Sequence, residues 1–111
     1  MPQPIVNVEP AIAHDLQEAG EVVLLDVRED NEWEAGHAPG AVHVVLGHLE
    51  PEGLAGEDVV VVCRSGNRSG KAAEILAEAG INARNLNGGK QAWVALGLPV
   101  VTFDGTPGDV K

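Results

Sequence analysis

The residues best suited to chemistry lie between positions 59 and 71, in the run VVVVCRSGNRSGK. The four valines are β-branched and apolar, which predicts a strand buried on both faces. Cys63, the one cysteine of the chain, stands where that strand ends, and the polar turn after it contains two arginines. From Lys71 an apolar stripe with helical spacing begins. A thiol at a helix N-terminus, beside backbone N–H groups and cations, indicates an anion-binding site that contains a nucleophile.

The surroundings predicted for Cys63 favour a reactive thiolate. If the turn closes around the sulfur, the backbone N–H groups of residues 64–69 point at it, and the helix dipole adds positive potential. Such settings lower the pKa of a cysteine thiol from its ordinary value of about 8.5. The same cradle would bind a tetrahedral oxyanion or stabilise the outer sulfur of a persulfide. A buried structural cysteine is the usual alternative, and the polar, glycine-containing turn argues against it.

Other kinds of site fail on spacing. A nucleotide-binding P-loop needs four residues between its two glycines and a hydroxyl after its lysine. Here three residues separate Gly66 from Gly70, and Ala72 follows the lysine. One cysteine cannot complete a zinc site, and no two histidines have the helical spacing of metal ligands, so we expect no metal and no cofactor. His37 could act as a base for Cys63, although a turn histidine without a local partner more often bonds the backbone.

Composition limits the partners and the location of the protein. The chain has 111 residues, 44% of them apolar, which predicts one domain over residues 1–104 with a mobile tail at 105–111. The formal charge of −10 argues against nucleic acid and anionic membranes as partners. No apolar run approaches the roughly 20 residues of a membrane span, and the N-terminus carries no secretory pattern. A single cysteine cannot form an internal disulfide, which suits the cytoplasm. Three of the seven basic residues fall between Arg64 and Lys71, which predicts a local positive charge for a small anion.

Strand-like and helix-like segments alternate along the chain, which predicts an α/β fold with a mostly parallel sheet. Ligands of such sheets bind beyond the carboxyl ends of the strands, where Cys63 lies. Asp26 and Arg28, at the end of one strand, are expected to be structural hydrogen-bonding residues, and Trp33 is expected to fill the core. The predicted strands are 5–8, 22–28, 42–46, 59–62 and 81–86, and the predicted helices are 10–19, 71–80 and 89–96, with a helical turn around Trp33 capped by Asp30 or Asn31.

Four motifs follow one another along the chain. They are LDVRE at 25–29 followed by Glu32-Trp33, GHAPGA at 36–41, CRSGNRS at 63–69, and NLNGG at 85–89 followed by Ala92-Trp93. With these motifs the chain resembles a single-domain rhodanese, a thiosulfate or persulfide sulfurtransferase, from about residue 5 to residue 103. The resemblance implies an α/β fold, a single rhodanese-like domain with a five-stranded, mostly parallel sheet and helices on both faces.

The resemblance also implies roles for individual residues. Cys63 is the implied catalytic nucleophile, and the implied substrate-binding residues are Arg64, Ser65, Gly66, Asn67, Arg68 and Ser69. Within this loop Arg64 matches a substrate-binding cation, Arg68 the basic residue that closes the loop, and Ser69 a hydroxyl that can hydrogen-bond the sulfur. In the implied reaction Cys63 takes a sulfane sulfur from a small anionic donor, thiosulfate or a low-molecular-weight persulfide. It then passes the sulfur to cyanide, a thiol or a cysteine of a partner protein.

Three other functions stay open. A phosphatase or arsenate reductase of the related fold needs five residues between its cysteine and arginine, whereas four separate Cys63 from Arg68, which predicts a tighter ring that suits sulfur. A persulfide carrier that delivers sulfur to a partner protein would use the same residues, so the sequence does not separate it from an enzyme. A catalytically inactive rhodanese-like binding domain is disfavoured by the intact Cys63 and its cationic loop.

Overall fold

A computed structural model of the protein describes residues 5–64 and 66–102. Within them the chain forms one sheet of five strands, with every neighbouring pair parallel. The strands are β1 (Asn7–Val8), β2 (Val23–Asp26), β3 (Val42–His43), β4 (Asp58–Val62) and β5 (Asn82–Leu86). The helices are α1 (Pro10–Glu18), α2 (Asp30–Ala35), α3 (Asn67–Glu78) and α4 (Gly89–Ala95), with 3₁₀ turns at Leu46–His48 and Pro51–Leu54. The predicted α/β fold with a five-stranded parallel sheet is confirmed.

Strand β4 lies at the centre of the sheet, whose order is β1-β5-β4-β2-β3. Its valines alternate between two apolar clusters, as the pleat of a strand requires. Val59 and Val61 pack into a cluster that includes Ala72, Ala73 and Leu76 of α3. Val60 and Val62 pack into a second cluster, which includes Ala13 of α1 and Trp93 of α4. Helices therefore cover both faces of β4, which is why four consecutive apolar residues are stable there.

Three local predictions need correction. Helix α3 begins at Asn67 rather than Lys71. Its first turn consists of polar residues and a glycine, which do not belong to the apolar stripe from which the start of the helix was predicted. Helix α2 is capped by Glu29 rather than Asp30 or Asn31, and the Glu32 carboxylate accepts the backbone N–H of Glu29 at 3.1 Å. The predicted strand 42–46 ends at His43, and residue 46 already belongs to a 3₁₀ turn.

Trp33 was expected in the core, and this prediction is also wrong. Its side chain is half-buried, and its ring stacks on the imidazole of His37 with 3.5 Å between centroids. His37 also bonds the Trp33 carbonyl oxygen through Nδ1 at 2.8 Å, as expected for a turn histidine. The predicted tail at 105–111 and the domain boundary at 104 lie outside the described residues. No helix among the described residues is long and apolar enough to cross a membrane.

Asp26 and Arg28 are fully buried at the end of β2. They are structural hydrogen-bonding residues, as the sequence predicted, but they bond each other, which the sequence did not predict. The Arg28 Nε and Nη2 atoms each donate to the carboxylate of Asp26 at 2.9 Å. Nη2 also donates to the Gly36 carbonyl oxygen at 2.6 Å. The pair therefore ties the end of β2 to the turn that follows α2, as a structural ion pair does.

Candidate active site

The Cys63 sulfur lies between the end of β4 and the N-terminus of α3. The residue is 1% exposed, and its Sγ accepts the backbone N–H of Gly66 at 2.9 Å. Gly66 has a φ of +108°, a left-handed conformation that favours glycine, and it caps α3. The sulfur therefore lies where the partial positive charge of a helix N-terminus is greatest. The predicted strand, thiol and helix arrangement is present, with the Gly66 amide directed at the sulfur.

The start of α4 holds the backbone on the opposite side of the loop. The Lys90 and Gln91 N–H groups donate to the carbonyl oxygens of Cys63 and Arg64, at 2.8 and 3.1 Å. A Cβ atom at Gly89 would lie 2.5 Å from the Cys63 carbonyl oxygen, so only glycine fits there. The loop carbonyls thus bond α4 while the Gly66 amide bonds the sulfur. The sequence contained the glycine pair of NLNGG, but the sequence analysis did not predict this contact.

Ser69 and Asn85 form a buried polar chain beside the sulfur. The Ser69 hydroxyl, fully buried in the first turn of α3, lies 3.3 Å from Cys63 Sγ, so this predicted contact exists. The same hydroxyl also bonds the amide oxygen of Asn85 on β5. The Asn85 Nδ2 group donates to the Gly66 carbonyl oxygen at 3.2 Å. Sequence analysis gave Asn85 no role, although the residue opens the NLNGG motif.

Arg68 is bound by a carboxylate that the sequence analysis did not link to it. Its Nη1 and Nη2 donate to the two Glu32 carboxylate oxygens, at 2.6 and 2.9 Å. This bidentate bond holds the pKa of Glu32 below its ordinary value and raises the pKa of Arg68. The pair joins α3 to α2, so Arg68 closes the loop from the side. Its terminal nitrogens are engaged by Glu32, and a role in binding substrate stays a prediction.

The remaining predicted loop residues differ in accessibility. Arg64 and Asn67 are exposed, so they line the solvent side of the loop. Ser65 lies outside the described residues. Arg64 is therefore an accessible cation on the residue that follows Cys63, and a small anion would require such a cation.

Lys90 is a second residue near the loop that sequence analysis missed. It is 1% exposed, and its Nζ lies 5.1 Å from the centre of the Trp93 ring. Its pKa is lowered to about 7, chiefly by burial, against a smaller opposite effect of Asp26 and with a smaller contribution from nearby Arg28. Nζ has no hydrogen-bond partner among the described residues. Lysine is rarely buried, so the sequence carried no signal for this placement.

No group of three potential metal ligands from His, Cys, Asp and Glu is present in the described part of the chain. The ring of His37 contacts Trp33 on α2, and the backbone of His37 pairs with that of Val101. No described contact supports His37 as a base for Cys63. The chemistry available is that of a thiol beside an amide, a buried hydroxyl and an exposed cation.

The family follows from comparison with known proteins. The model of the rhodanese-like domain matches residues 9–96, which is most of the chain. The protein belongs to the rhodanese-like domain family, and relatives named as sulfurtransferases support sulfurtransferase membership within it.

The curated relatives differ in length. A putative sulfurtransferase of Bacillus subtilis is 37% identical over 87 residues, covering 75% of this chain and 84% of that protein. Thiosulfate sulfurtransferase 16, a chloroplastic protein of Arabidopsis thaliana, is 34% identical and covers 84% of this chain and 90% of its own length. An uncharacterized protein of Synechocystis is 36% identical over 92% of this chain. The chain spans 59% of that protein, and 39% of a Mycobacterium tuberculosis transcriptional regulator.

Solved structures share the fold. A rhodanese-related protein of Thermoplasma volcanium is 28% identical with a TM-score of 0.76, covering 86% of this chain and 97% of its own. A Rhodopseudomonas palustris protein of unknown function, described as a possible tyrosine phosphatase, is 27% identical with a TM-score of 0.77, covering 86% and 84%.

Proposed function

We propose that the protein is a sulfurtransferase that carries sulfane sulfur on Cys63. The observation that supports this most directly is the Gly66 N–H on Cys63 Sγ, at the N-terminus of a 12-residue helix. A backbone amide and a helix dipole both stabilise negative charge on sulfur. They therefore stabilise the thiolate that attacks and the persulfide anion that the attack leaves behind.

In the first step the Cys63 thiolate attacks the outer sulfur of thiosulfate or of a small persulfide. A new S–S bond forms as the donor's own S–S bond breaks, and sulfite or a thiolate leaves with the electron pair. Both leaving groups are stable anions, so the step needs no strong general acid. Because Cys63 is 1% exposed, a small donor fits this step better than a bulky one.

In the second step an acceptor attacks the outer sulfur of the persulfide. That atom projects about 2 Å beyond Sγ, so it is more accessible than the thiol itself. Cyanide, a small thiol or a cysteine of a partner protein can serve as acceptor, and Cys63 leaves as a thiolate. The chain has no second cysteine to act as an internal acceptor.

Arg64 is the residue that we propose binds the anionic donor, because it is exposed and follows Cys63 directly. Gly66 donates to the sulfur, Ser69 contacts it, and Arg68 shapes the loop through Glu32. Ser65 and Asn67 stay proposed substrate-binding residues. Replacing Arg64 with glutamine should raise KM for thiosulfate about tenfold, the value of one charge-assisted hydrogen bond. Lys71→Gln is the charge-matched control, since Lys71 is exposed in α3, seven residues after Arg64, and its substitution should leave KM unchanged.

A phosphatase is the second candidate function, because one structural neighbour is described as a possible tyrosine phosphatase. The four-residue spacing from Cys63 to Arg68, and the use of Arg68 by Glu32, favour sulfur over phosphate. The test compares thiosulfate–cyanide sulfur transfer with p-nitrophenyl phosphate hydrolysis in wild type and Cys63→Ser. We expect Cys63-dependent sulfur transfer without phosphatase activity, and the reverse result would refute the proposal.

A persulfide carrier differs from an enzyme only in its acceptor. Slow transfer to free cyanide or thiols, accelerated strongly by one protein acceptor, would favour the carrier. A cytoplasmic location is proposed on the single cysteine, which suits a reducing compartment.

A further inference from the structure

The hydroxyl of Ser69 has one proton and two neighbours that could accept it. Its oxygen lies 3.3 Å from Cys63 Sγ and also bonds the Asn85 amide oxygen. A hydroxyl donates one hydrogen bond and accepts up to two. The contact with Cys63 is therefore stabilising for a thiolate only if the proton turns away from Asn85.

The orientation of the Asn85 amide decides which neighbour receives the proton. Its Nδ2 group donates to the Gly66 carbonyl oxygen at 3.2 Å and to Asn7 Oδ1 at 3.0 Å. A backbone carbonyl can only accept, so the amide cannot flip without placing two oxygens against each other. Oδ1 must then face Ser69, and because an amide oxygen can only accept, the Ser69 hydroxyl must donate its proton in this hydrogen bond.

We propose that Asn85 is a positioning residue that withholds the Ser69 hydroxyl proton from the Cys63 sulfur. The lone pairs of the Ser69 oxygen then face Sγ, where they accept the S–H of a thiol and repel a thiolate. Asn85 thus opposes the Gly66 amide and sets how much of Cys63 is ready to react. This inference rests on the proposed role of Cys63 as nucleophile.

The charged groups of the loop and of the elements packed beside it stay the same in the variants that test this proposal. They are Arg64 in the loop, Asp26 in β2, Arg28 just after β2, Glu32 in α2, Arg68 in α3 and Lys90 in α4. Substituting Ser69 or Asn85 by uncharged residues alters none of them. A change in the titration of Cys63 therefore reports on the hydroxyl and not on a new charge.

The chain is well suited to the measurement, because it has one cysteine and no tyrosine. The rise of thiolate ultraviolet absorbance with pH then reports Cys63, with Cys63→Ser as the blank. Asn85→Leu removes the acceptor, and the released hydroxyl turns to the sulfur. We expect the pKa of the thiol to fall by about one unit, the value of one hydrogen bond. The acid limb of kcat/KM against pH should shift equally.

Three further variants make the proposal refutable. Ser69→Ala should not raise the pKa of Cys63, and a rise of about one unit would mean that Ser69 already donates to the sulfur. In the double variant, which combines Ser69→Ala with Asn85→Leu, the Cys63 pKa should no longer fall. An unchanged fall of that pKa would overturn the proposal. Asn7→Ala, which removes the other Nδ2 partner, should leave the pKa unchanged, and a fall matching that of Asn85→Leu would contradict the role of Ser69. If Asn85→Leu does not fold, Ser69→Ala still decides. The titration needs no sulfur transfer, so its failure is distinct from failure of the proposed function.

Discussion

Replacing Gly89 with alanine should disable the loop from outside the sulfur site. The new Cβ would lie 2.5 Å from the Cys63 carbonyl oxygen and 2.6 Å from the carbonyl carbon of Arg64, both backbone atoms that cannot rotate away. The left-handed φ of +59° alone costs an alanine about 1 kcal/mol. If the loop moves aside, two backbone hydrogen bonds to α4 are lost, at about 1 kcal/mol each. The total loss of unfolding free energy is about 3 kcal/mol.

Gly20→Ala is the matched control for this substitution. Gly20 has a similar φ of +73°, and no described atom lies within 4 Å of the place that a Cβ atom would take there. It should lose only the conformational cost of about 1 kcal/mol and keep full sulfur transfer. Urea unfolding gives the two free energies, and thiosulfate–cyanide turnover gives the activities, which we expect to fall at least tenfold for Gly89→Ala alone. Equal losses of stability and activity in the two variants would refute the account of the loop.

Three other substitutions test the buried and bridging charges. Lys90→Met should stabilise the protein at pH 7. The pKa of Lys90 is about 7 in the folded protein and 10.5 in the unfolded chain, so burying the charged lysine lowers the free energy of unfolding by an amount on the order of 5 kcal/mol. This penalty is full below pH 7 and decreases towards pH 10.5. The free energies of unfolding of the variant and of wild type, measured in urea, should approach each other by pH 10, and a constant difference would contradict this. Asp26→Asn leaves Arg28 buried without its counter-charge and should lower the free energy of unfolding by about 3–5 kcal/mol in the same measurement. A loss below about 1 kcal/mol would argue against a tight ion pair. Glu32→Gln should cost about 1 kcal/mol at pH 7, as a partly exposed pair with Arg68 does. Because the pKa of Glu32 is lowered, this cost should persist to below pH 4.5 and then vanish as the wild-type carboxylate is protonated; an equal cost at pH 7 and pH 3 would contradict it.

The fold could be predicted because its signals are local. Four valines need apolar cover on both sides, and the change to helical spacing after Lys71 places Cys63 at a strand end. The structural role of Asp26 and Arg28 was also predictable, because two charges that end a buried strand need hydrogen-bond partners. These inferences required only the chemistry of neighbouring residues.

The rest depends on contacts between distant segments. Asn85 reaches Ser69 because β5 lies beside β4, and Lys90 is buried because the docking of α4 on the loop leaves its side chain beside Trp93. Glu32 meets Arg68 across 36 residues of sequence. Neither the spacing nor the type of these residues predicts such pairs. The sequence analysis therefore predicted no carboxylate partner for Arg68 and no role for Asn85.

The central claim is that Cys63 carries a sulfur atom, and intact mass tests it most directly. Wild type and Cys63→Ser are incubated with thiosulfate and then with cyanide, and their masses are measured after each step. We expect wild type alone to gain one sulfur atom and to lose it again to cyanide. A wild-type mass that stays unchanged with thiosulfate and with small persulfides would contradict the claim, as would an equal gain by Cys63→Ser.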